Sequence, residues 1–222
     1  MKKLLAVILA GTSVVAMADT FQDFNNNLYA QYNLISPNGG AAQNADLWGV
    51  GGTFQSKNNV WVNANASFGQ TATNGTYTKS SDLGVMNINA GYAFQFFGDD
   101  SNGFQVIPHV GFGFIQAGGE VNGTVYSYDL GIRPEYRFLS SLKVSLDASL
   151  VGTQQGASTA TGNYVNNGQD FGYSISPEVQ YDISKTIMLA LAYDYTNSFN
   201  TSNSATGSNG TNALTAKVGY LF

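Results

Sequence analysis

The sequence has no cysteine, so disulfide bonds cannot hold its fold together. Only 10% of the residues carry a charge, which is a small share for a soluble domain. After residue 18 no apolar run approaches the roughly 20 residues that a membrane-spanning helix needs. The sequence also lacks a nucleophile elbow and a His/Cys cluster with metal-ligand spacing. These absences argue against disulfide scaffolds, helical membrane proteins and the commonest hydrolase and zinc sites.

The N-terminus has the three parts of a secretory signal peptide. Two lysines precede an apolar run over residues 4–15 that is too short to cross a bilayer, and the small residues Ala16 and Ala18 occupy the cleavage positions. We therefore expect a cleaved signal helix at residues 1–18 and one mature domain at residues 19–222. Two of the nine Lys and Arg leave with the signal, so seven remain against fourteen Asp and Glu. This acidic balance argues against a nucleic-acid partner.

Alternation of apolar and polar residues predicts ten β-strands in the mature domain. Their approximate bounds are 27–35, 46–55, 60–69, 82–97, 104–117, 124–138, 142–153, 170–183, 187–195 and 212–222. Short connections alternate along the chain with mostly longer ones that are rich in Gly, Ser, Thr and Asn. An all-β, antiparallel, up-and-down transmembrane β-barrel explains this alternation, because such barrels have short turns at one membrane face and long loops at the other. Ten strands is the prediction, and eight is the alternative.

Each well-patterned strand presents an apolar face, suited to lipid, and a polar face, suited to the lumen. In the strand at 124–138, Leu130 and Ile132 share one face while Arg133 and Glu135 share the other. The predicted lumen charges all come from the last five strands: Asp129, Arg133, Glu135, Arg137, Lys143, Asp147, Glu178, Asp194 and Lys217. The first five strands contribute mainly Gly, Asn, Gln and the single histidine, His109.

Three prolines fall inside the predicted strands. Pro108, Pro134 and Pro177 each lack the backbone N–H that a strand ladder uses, so we expect a bulge, a water molecule or an early end of pairing at these positions.

Three segments resemble the small outer-membrane β-barrels of the OmpA-like and opacity-like group. Residues 107–114 resemble its proline-then-alternating-glycine strand, and residues 130–150 resemble its hairpin of two charged strands around a tight turn. The last strand, with Val218, Tyr220 and Phe222 on one face, resembles the C-terminal signal that the barrel assembly machinery recognises. The resemblance implies an outer-membrane location in a Gram-negative bacterium, with both mature termini in the periplasm.

These features predict a structural or surface-interaction role for a barrel that presents Asn/Ser/Thr/Gly-rich loops, its lumen filled by paired charges. A narrow, passive, porin-like pore is the alternative, and an outer-membrane enzyme that modifies lipid or peptide is the second alternative. For an enzyme His109 would be the general base, yet barrel enzymes have their sites near the outer rim and His109 is predicted near the periplasmic end. We therefore expect no enzymatic activity, no catalytic residue, no metal and no cofactor. The expected partners are outer-membrane lipid and lipopolysaccharide, the barrel assembly machinery at the C-terminal strand, and an extracellular partner at the loops.

Overall fold

The structure, a computed structural model, describes residues 21–37, 44–73, 79–99, 102–119, 123–155, 169–199 and 210–222. The predicted signal helix therefore lies outside the described residues. The described chain begins with a short helix, α1 (Gln22–Asn25). The strands that follow are β1 (Asn27–Pro37), β2 (Ala45–Gln55), β3 (Val60–Thr71), β4 (Asp82–Tyr92), β5 (Phe94–Gly98), β6 (Asn102–Gly118), β7 (Gly123–Phe138), β8 (Leu142–Gln155), β9 (Gln169–Asp182), β10 (Ile187–Ser198) and β11 (Gly210–Leu221).

The strands form a closed antiparallel barrel in which each strand pairs with its neighbours in the chain. β4 and β5 are two pieces of one barrel strand, because both pair with the same edge of β6 on either side of Ala93. β1 closes the barrel against β11, with Asn27 opposite Leu221 and Pro37 opposite Thr211. The described residues thus make a ten-stranded barrel, which confirms the predicted fold and the predicted pairing of the last strand with the first. The eight-stranded alternative is wrong.

The two ends of the barrel differ in their connections. The short turns at 56–59, 139–141 and 183–186 lie at one end, together with α1 and Phe222; we call this the short-turn end. Strands β1, β3, β6, β8 and β10 end at the opposite end of the barrel, which we call the long-loop end. Among the described residues, no helix has the length and apolar character needed to cross a membrane.

The prolines interrupt pairing without shifting its register. Between β7 and β8 the pairing stops at Ile132 and resumes at Glu135, on either side of Pro134. Pro108 lies opposite the junction of β4 and β5, and Pro177 lies in a similar gap between β9 and β10. Of the alternatives expected at the prolines, the structure shows interrupted pairing and no bulge, because a missing donor removes one hydrogen bond of the ladder without adding a residue to the strand.

A register shift lies in β5, between Gln95 and Phe97. Two consecutive side chains, Phe96 and Phe97, are exposed there, and their ring centroids lie 5.6 and 6.2 Å from that of Phe104. A bulge explains this arrangement, because the extra residue lets two neighbouring side chains share one face.

The barrel wall is apolar outside and polar inside. Leu130 and Leu150 pair on the outer face and are 62% and 61% exposed, whereas the inward Glu135 is 1% exposed. Aromatic side chains gather near both ends of the outer face. The short-turn end carries Phe96, Phe97, Phe104, Tyr136, Phe138, Tyr181, Tyr220 and Phe222, and the long-loop end carries Trp48, Phe68, Tyr126 and Phe171. An apolar band between two aromatic girdles is the outer surface of a membrane-spanning barrel.

Candidate functional site: the charged lumen

Arg133 is the centre of the lumen network. Its Nε donates to Glu135 Oε1 at 2.8 Å, and its Nη2 donates to Glu178 Oε1 at 2.8 Å. The same Nη2 lies 2.7 Å from Ser145 Oγ. Arg133 and Glu135 are two residues apart in β7, so strand geometry places both side chains in the lumen. The guanidinium thus joins carboxylates of β7 and β9 in charge-assisted hydrogen bonds, which are stronger than neutral ones.

Small residues on the intervening strands let these long side chains meet. Ser145 of β8 stands directly between Glu135 and Glu178 in the sheet register. Ala192 of β10 stands beside Glu178, and Lys217 of β11 donates a hydrogen bond to that glutamate. Charged side chains on alternate strands therefore pair across the short side chains of the strand between them. This pairing satisfies the requirement that buried charges be paired.

Glu135 and Lys143 lie near the short-turn end. Glu135 Oε2 accepts from Gln105 Nε2 at 2.7 Å and from Asn25 Nδ2 at 2.9 Å. Lys143 Nζ donates to Asn25 Oδ1 at 2.5 Å and lies 3.8 Å from Glu135 Oε1. Gln55 joins this layer by hydrogen bonds of 3.1 Å with Gln105 and 2.7 Å with Asn25. The carboxylate is thus shared among β7, β8, β6 and the segment before β1.

His109 connects β6 to the carboxylates of β7 and β8. Its Nε2 lies 3.1 Å from Asp147 Oδ2 and its Nδ1 lies 3.4 Å from Asp129 Oδ1. These are ion-pair distances for a protonated ring, although neither N–H is aligned for a hydrogen bond. A Cβ at Gly131 would lie 2.7 Å from His109 Nε2, so glycine leaves room for the ring. Ser149 Oγ donates to Asp147 Oδ1 at 2.7 Å.

The two remaining charged positions of the predicted set lie at opposite sides of this network. The Arg137 guanidinium lies over the Phe24 ring, 5.0 Å from its centroid, and its Nε donates to Leu139 O at 3.2 Å. Asp194 accepts hydrogen bonds from Ser176 and, at 3.4 Å, from Thr215. All nine charged residues of the predicted set thus face the lumen. Each contacts another lumen side chain or α1: Asp129, Arg133, Glu135, Arg137, Lys143, Asp147, Glu178, Asp194 and Lys217.

The lumen is closed at the short-turn end and accessible to water above it. Side-chain exposure rises from 0% for Glu135 and 3% for Lys143 to 15% for Arg133, 17% for Asp147 and 22% for Asp129. The two least exposed side chains of this set lie nearer the short-turn end than the other three. Water therefore reaches the upper carboxylates from the long-loop side and does not reach the lower layer.

The segment before β1 closes the short-turn end. Phe21, Phe24 and Asn25 are each 0% exposed. Gln180 Nε2 donates to Phe24 O at 3.2 Å, which ties the segment to β9. Because this segment precedes the first alternating strand, no periodicity in the sequence indicates that it enters the lumen.

Trp61 and Gln55 are further lumen residues that the sequence prediction missed. The Trp61 ring is buried, with its centroid 5.9 Å from that of His109 and 6.0 Å from the Arg133 guanidinium carbon. Both positions share the parity of inward residues on their strands: Trp61 with Asn63, and Gln55 with Gly51. Extending the alternation to the strand ends would have found them.

The outer face carries the predicted assembly residues. Val218, Tyr220 and Phe222 are all exposed there, at the short-turn end of the closing strand. Among the described residues, no group of three or more His, Asp or Glu side chains has the geometry to hold a metal ion.

The sequence model of the family described as "Outer membrane protein beta-barrel domain" matches residues 4–222, and the chain belongs to this family. The protein is therefore located in the outer membrane of a Gram-negative bacterium. No curated protein sequence matches the chain.

Several solved outer-membrane barrels are similar in structure. The NanC porin is 12% identical, with a TM-score of 0.44, and the match covers 88% of this chain and 100% of the porin. The attachment invasion locus protein Ail of Yersinia pestis is 11% identical, with a TM-score of 0.35 and coverage of 88% and 95%. The outer membrane protease OmpT from Escherichia coli is 9% identical, with a TM-score of 0.41 and coverage of 89% and 94%. These three proteins differ in activity, so their likeness assigns none to this chain.

Proposed function

We propose that the chain is a closed outer-membrane barrel whose role is structural or surface interaction, with its loops as the functional surface. The observation that carries this proposal is the layer of Asn25, Glu135 and Lys143, whose side chains are almost fully buried across the short-turn end. Small barrels are commonly filled by their own side chains, and a filled lumen leaves the loops on a rigid scaffold as the accessible surface.

We propose that the short-turn end faces the periplasm. Both Phe21 and Phe222 lie at this end, and bacterial barrels have their short turns on the periplasmic side. This proposal includes removal of the signal peptide after Ala18. Under this orientation Tyr220 and Phe222 lie where the barrel assembly machinery can bind them. Lipid and lipopolysaccharide then contact the outer face, and an extracellular partner would bind the loops.

Planar-bilayer recordings on refolded mature protein test the closed lumen. We expect no steady conductance from a chain that begins at Asp19. A narrow pore is the alternative, favoured by the water-accessible side chains of Arg133 and Asp147 above the closed layer. Steady conductance that changes in Arg133→Ala or Glu178→Ala, but not in the turn variant Lys185→Ala, would replace the closed barrel by that pore.

We propose that the barrel is not an enzyme. Ser149 donates its hydroxyl to Asp147, so the nearby serine is not hydrogen-bonded to the imidazole that would have to activate it. His109 itself lies between two carboxylates and is buried. Assays with phospholipid and peptide substrates should show no turnover. Hydrolysis that disappears in His109→Ala would establish an activity.

A further inference from the structure

Residues 21–26 form a segment that lies inside the barrel and that we call the stopper. Its only covalent link to the described barrel is the bond between Asn26 and Asn27, where β1 begins. Phe21, Phe24 and Asn25 are fully buried, whereas Asp23, on the same turn of α1, is exposed. A four-residue helix forms too few hydrogen bonds to offset the entropy of ordering its backbone, so contacts with the barrel hold the segment in place.

Asn25 provides the polar part of these contacts and uses its whole amide group. Nδ2 donates to Gln55 Oε1 at 2.7 Å and to Glu135 Oε2 at 2.9 Å, while Oδ1 accepts from Lys143 Nζ at 2.5 Å. Two of these three hydrogen bonds involve a charged group, and such bonds are stronger than neutral ones. One side chain of the stopper therefore binds β2, β7 and β8 together.

Phe24 provides the apolar part. The Arg137 guanidinium lies 5.0 Å from the centroid of its ring, and the backbone oxygen of Phe24 accepts from Gln180 at 3.2 Å and from Asn27 at 2.8 Å. Phe222 N donates to Asn26 O at 3.0 Å, so the stopper also contacts the end of β11. All of these contacts are non-covalent.

A small cavity lies beside these contacts, between the stopper and part of the charge network. It measures about 10 Å³, room for about one water molecule, and Asn25 and Asn27 line one side of it. Arg133, Lys143 and Lys217 are among the residues that line it from the network. Arg133 and Lys217 are themselves 15% and 16% exposed. Withdrawal of the stopper would therefore leave side chains of the polar network, such as Glu135, Lys143 and Arg133, between the short-turn end and the water of the upper lumen.

We propose that residues 21–26 are a removable stopper, and that the barrel conducts small ions when they are withdrawn. The proposal rests on the closed state of the intact mature chain given under the proposed function. In a two-state equilibrium, the stopper-out fraction rises by the factor by which its binding is weakened. Loss of hydrogen bonds of the Asn25 kind corresponds to about tenfold or more.

The test compares three variants with the intact mature chain in planar bilayers. Deletion of residues 19–26 should convert a silent barrel into one with steady conductance. Asn25→Ala should give intermittent openings, with open time raised about tenfold or more over the intact chain. Asp23→Ala, at the exposed position of the same helical turn, should remain silent. The change of mobility on gels between heated and unheated samples verifies that each barrel has folded.

The results separate the two proposals. Steady conductance by the intact chain contradicts the closed barrel itself. A silent intact chain together with a folded but silent deletion variant contradicts the stopper alone.

If the deletion variant does not fold, thiol labelling tests whether the stopper leaves the lumen. The chain has no cysteine, so Phe24→Cys and Asp23→Cys each introduce a single thiol. A water-soluble thiol reagent should modify the Phe24→Cys variant about tenfold more slowly, or slower still, than the Asp23→Cys variant, since reaction at Phe24→Cys requires the stopper to leave the lumen. Addition of Asn25→Ala to Phe24→Cys should reduce that difference. Equal rates for the two single variants would overturn the stopper.

Discussion

The lumen has two unlike walls. The charged wall, β7–β11, carries Arg133, Glu135, Glu178 and Lys217 at the centre of the network. The amide wall, β1–β6, presents Asn and Gln side chains between glycines. On the charged wall, ionic side chains of alternate strands bind one another. On the amide wall, contacts between neutral groups prevail, such as the 2.7 Å hydrogen bond from Gln31 to Ser67.

Most charged side chains of the charged wall therefore find their partners on the same wall, and a few contacts join this wall to the opposite one. Gln105 reaches Glu135, and His109 reaches Asp129 and Asp147. Buried ions lose much of their hydration, so each must find its partners nearby, whereas a neutral amide tolerates weaker contacts. Substitutions on the charged wall should therefore lower the free energy of unfolding most. Substitutions at the joining contacts should lower it less, and those on the upper amide wall least.

The largest effect should follow from Glu135→Leu. Glu135 accepts hydrogen bonds from Arg133, Gln105 and Asn25, so its loss leaves buried donors and cations without their acceptor. We expect the free energy of unfolding to fall by about 3–5 kcal/mol. Urea titration in lipid vesicles, followed by Trp61 fluorescence in a Trp48→Phe background, measures it.

Two further variants calibrate that result. Asp46→Ala removes an exposed acid of β2 and should change the free energy of unfolding by about 0.5 kcal/mol or less. Lys143→Met combined with Glu135→Leu should be less destabilising than the sum of the two single variants, because the cation is removed with its partner. Equal losses from Glu135→Leu and Asp46→Ala would show that the network does not stabilise the barrel.

His109→Leu should have the next largest effect, because it removes the imidazole that lies between the carboxylates of Asp129 and Asp147. Asp129 and Asp147 would then face each other, with Arg133 at 4.0 Å from Asp147 as the remaining cation. Both aspartates are partly solvated, so we expect a loss of about 1–3 kcal/mol. The urea titration measures it, and Asn89→Leu on the neighbouring β4 is the matched control. A loss no larger than that of Asn89→Leu would remove His109 from the network.

Gln105→Leu should lower the free energy of unfolding by less, about 1–2 kcal/mol. The substitution removes a neutral donor and leaves Arg133 and Lys143 paired with Glu135. Its Nε2 lies 2.7 Å from Glu135 Oε2 and 3.1 Å from Gln55 Oε1. Double-mutant cycles between Gln105→Leu and Glu135→Leu should give a coupling energy well above that between Gln105→Leu and Asp194→Asn. Similar coupling energies would mean that the walls are not joined through Gln105.

The order of these effects could not be predicted from the sequence, although much of the fold could. Alternation with a period of two sets which residues face lipid, so ten strands and the closing pair follow from it, and all the strands lie within three residues of their expected bounds apart from the break at Ala93. Parity places a charge on a face but does not choose its partner. Arg133 reaches Glu178 only because two registers and the small Ser145 bring β7 and β9 together.

Two parts of the site give no periodic signal at all. α1 precedes the first alternating strand, so the burial of Phe24 and Asn25 depends on tertiary contacts alone. The partners of His109 depend on the register between β6, β7 and β8 and on the space at Gly131. In both cases the sequence supplies the residue type, and the closed barrel supplies the neighbours.

The smallest effect should come from Asn87→Ala on the amide wall. The Asn87 amide is half-buried and makes a 3.5 Å contact with Asn65, at the limit of hydrogen-bond length. Water accessible from the long-loop end can solvate Asn65 when this contact is lost, so we expect a change of about 0.5 kcal/mol or less in the free energy of unfolding. The same urea titration measures it. A loss above that of Gln105→Leu would mean that neutral amides stabilise the barrel as strongly as the contacts that join the walls, and the distinction between the two walls would then be one of composition alone.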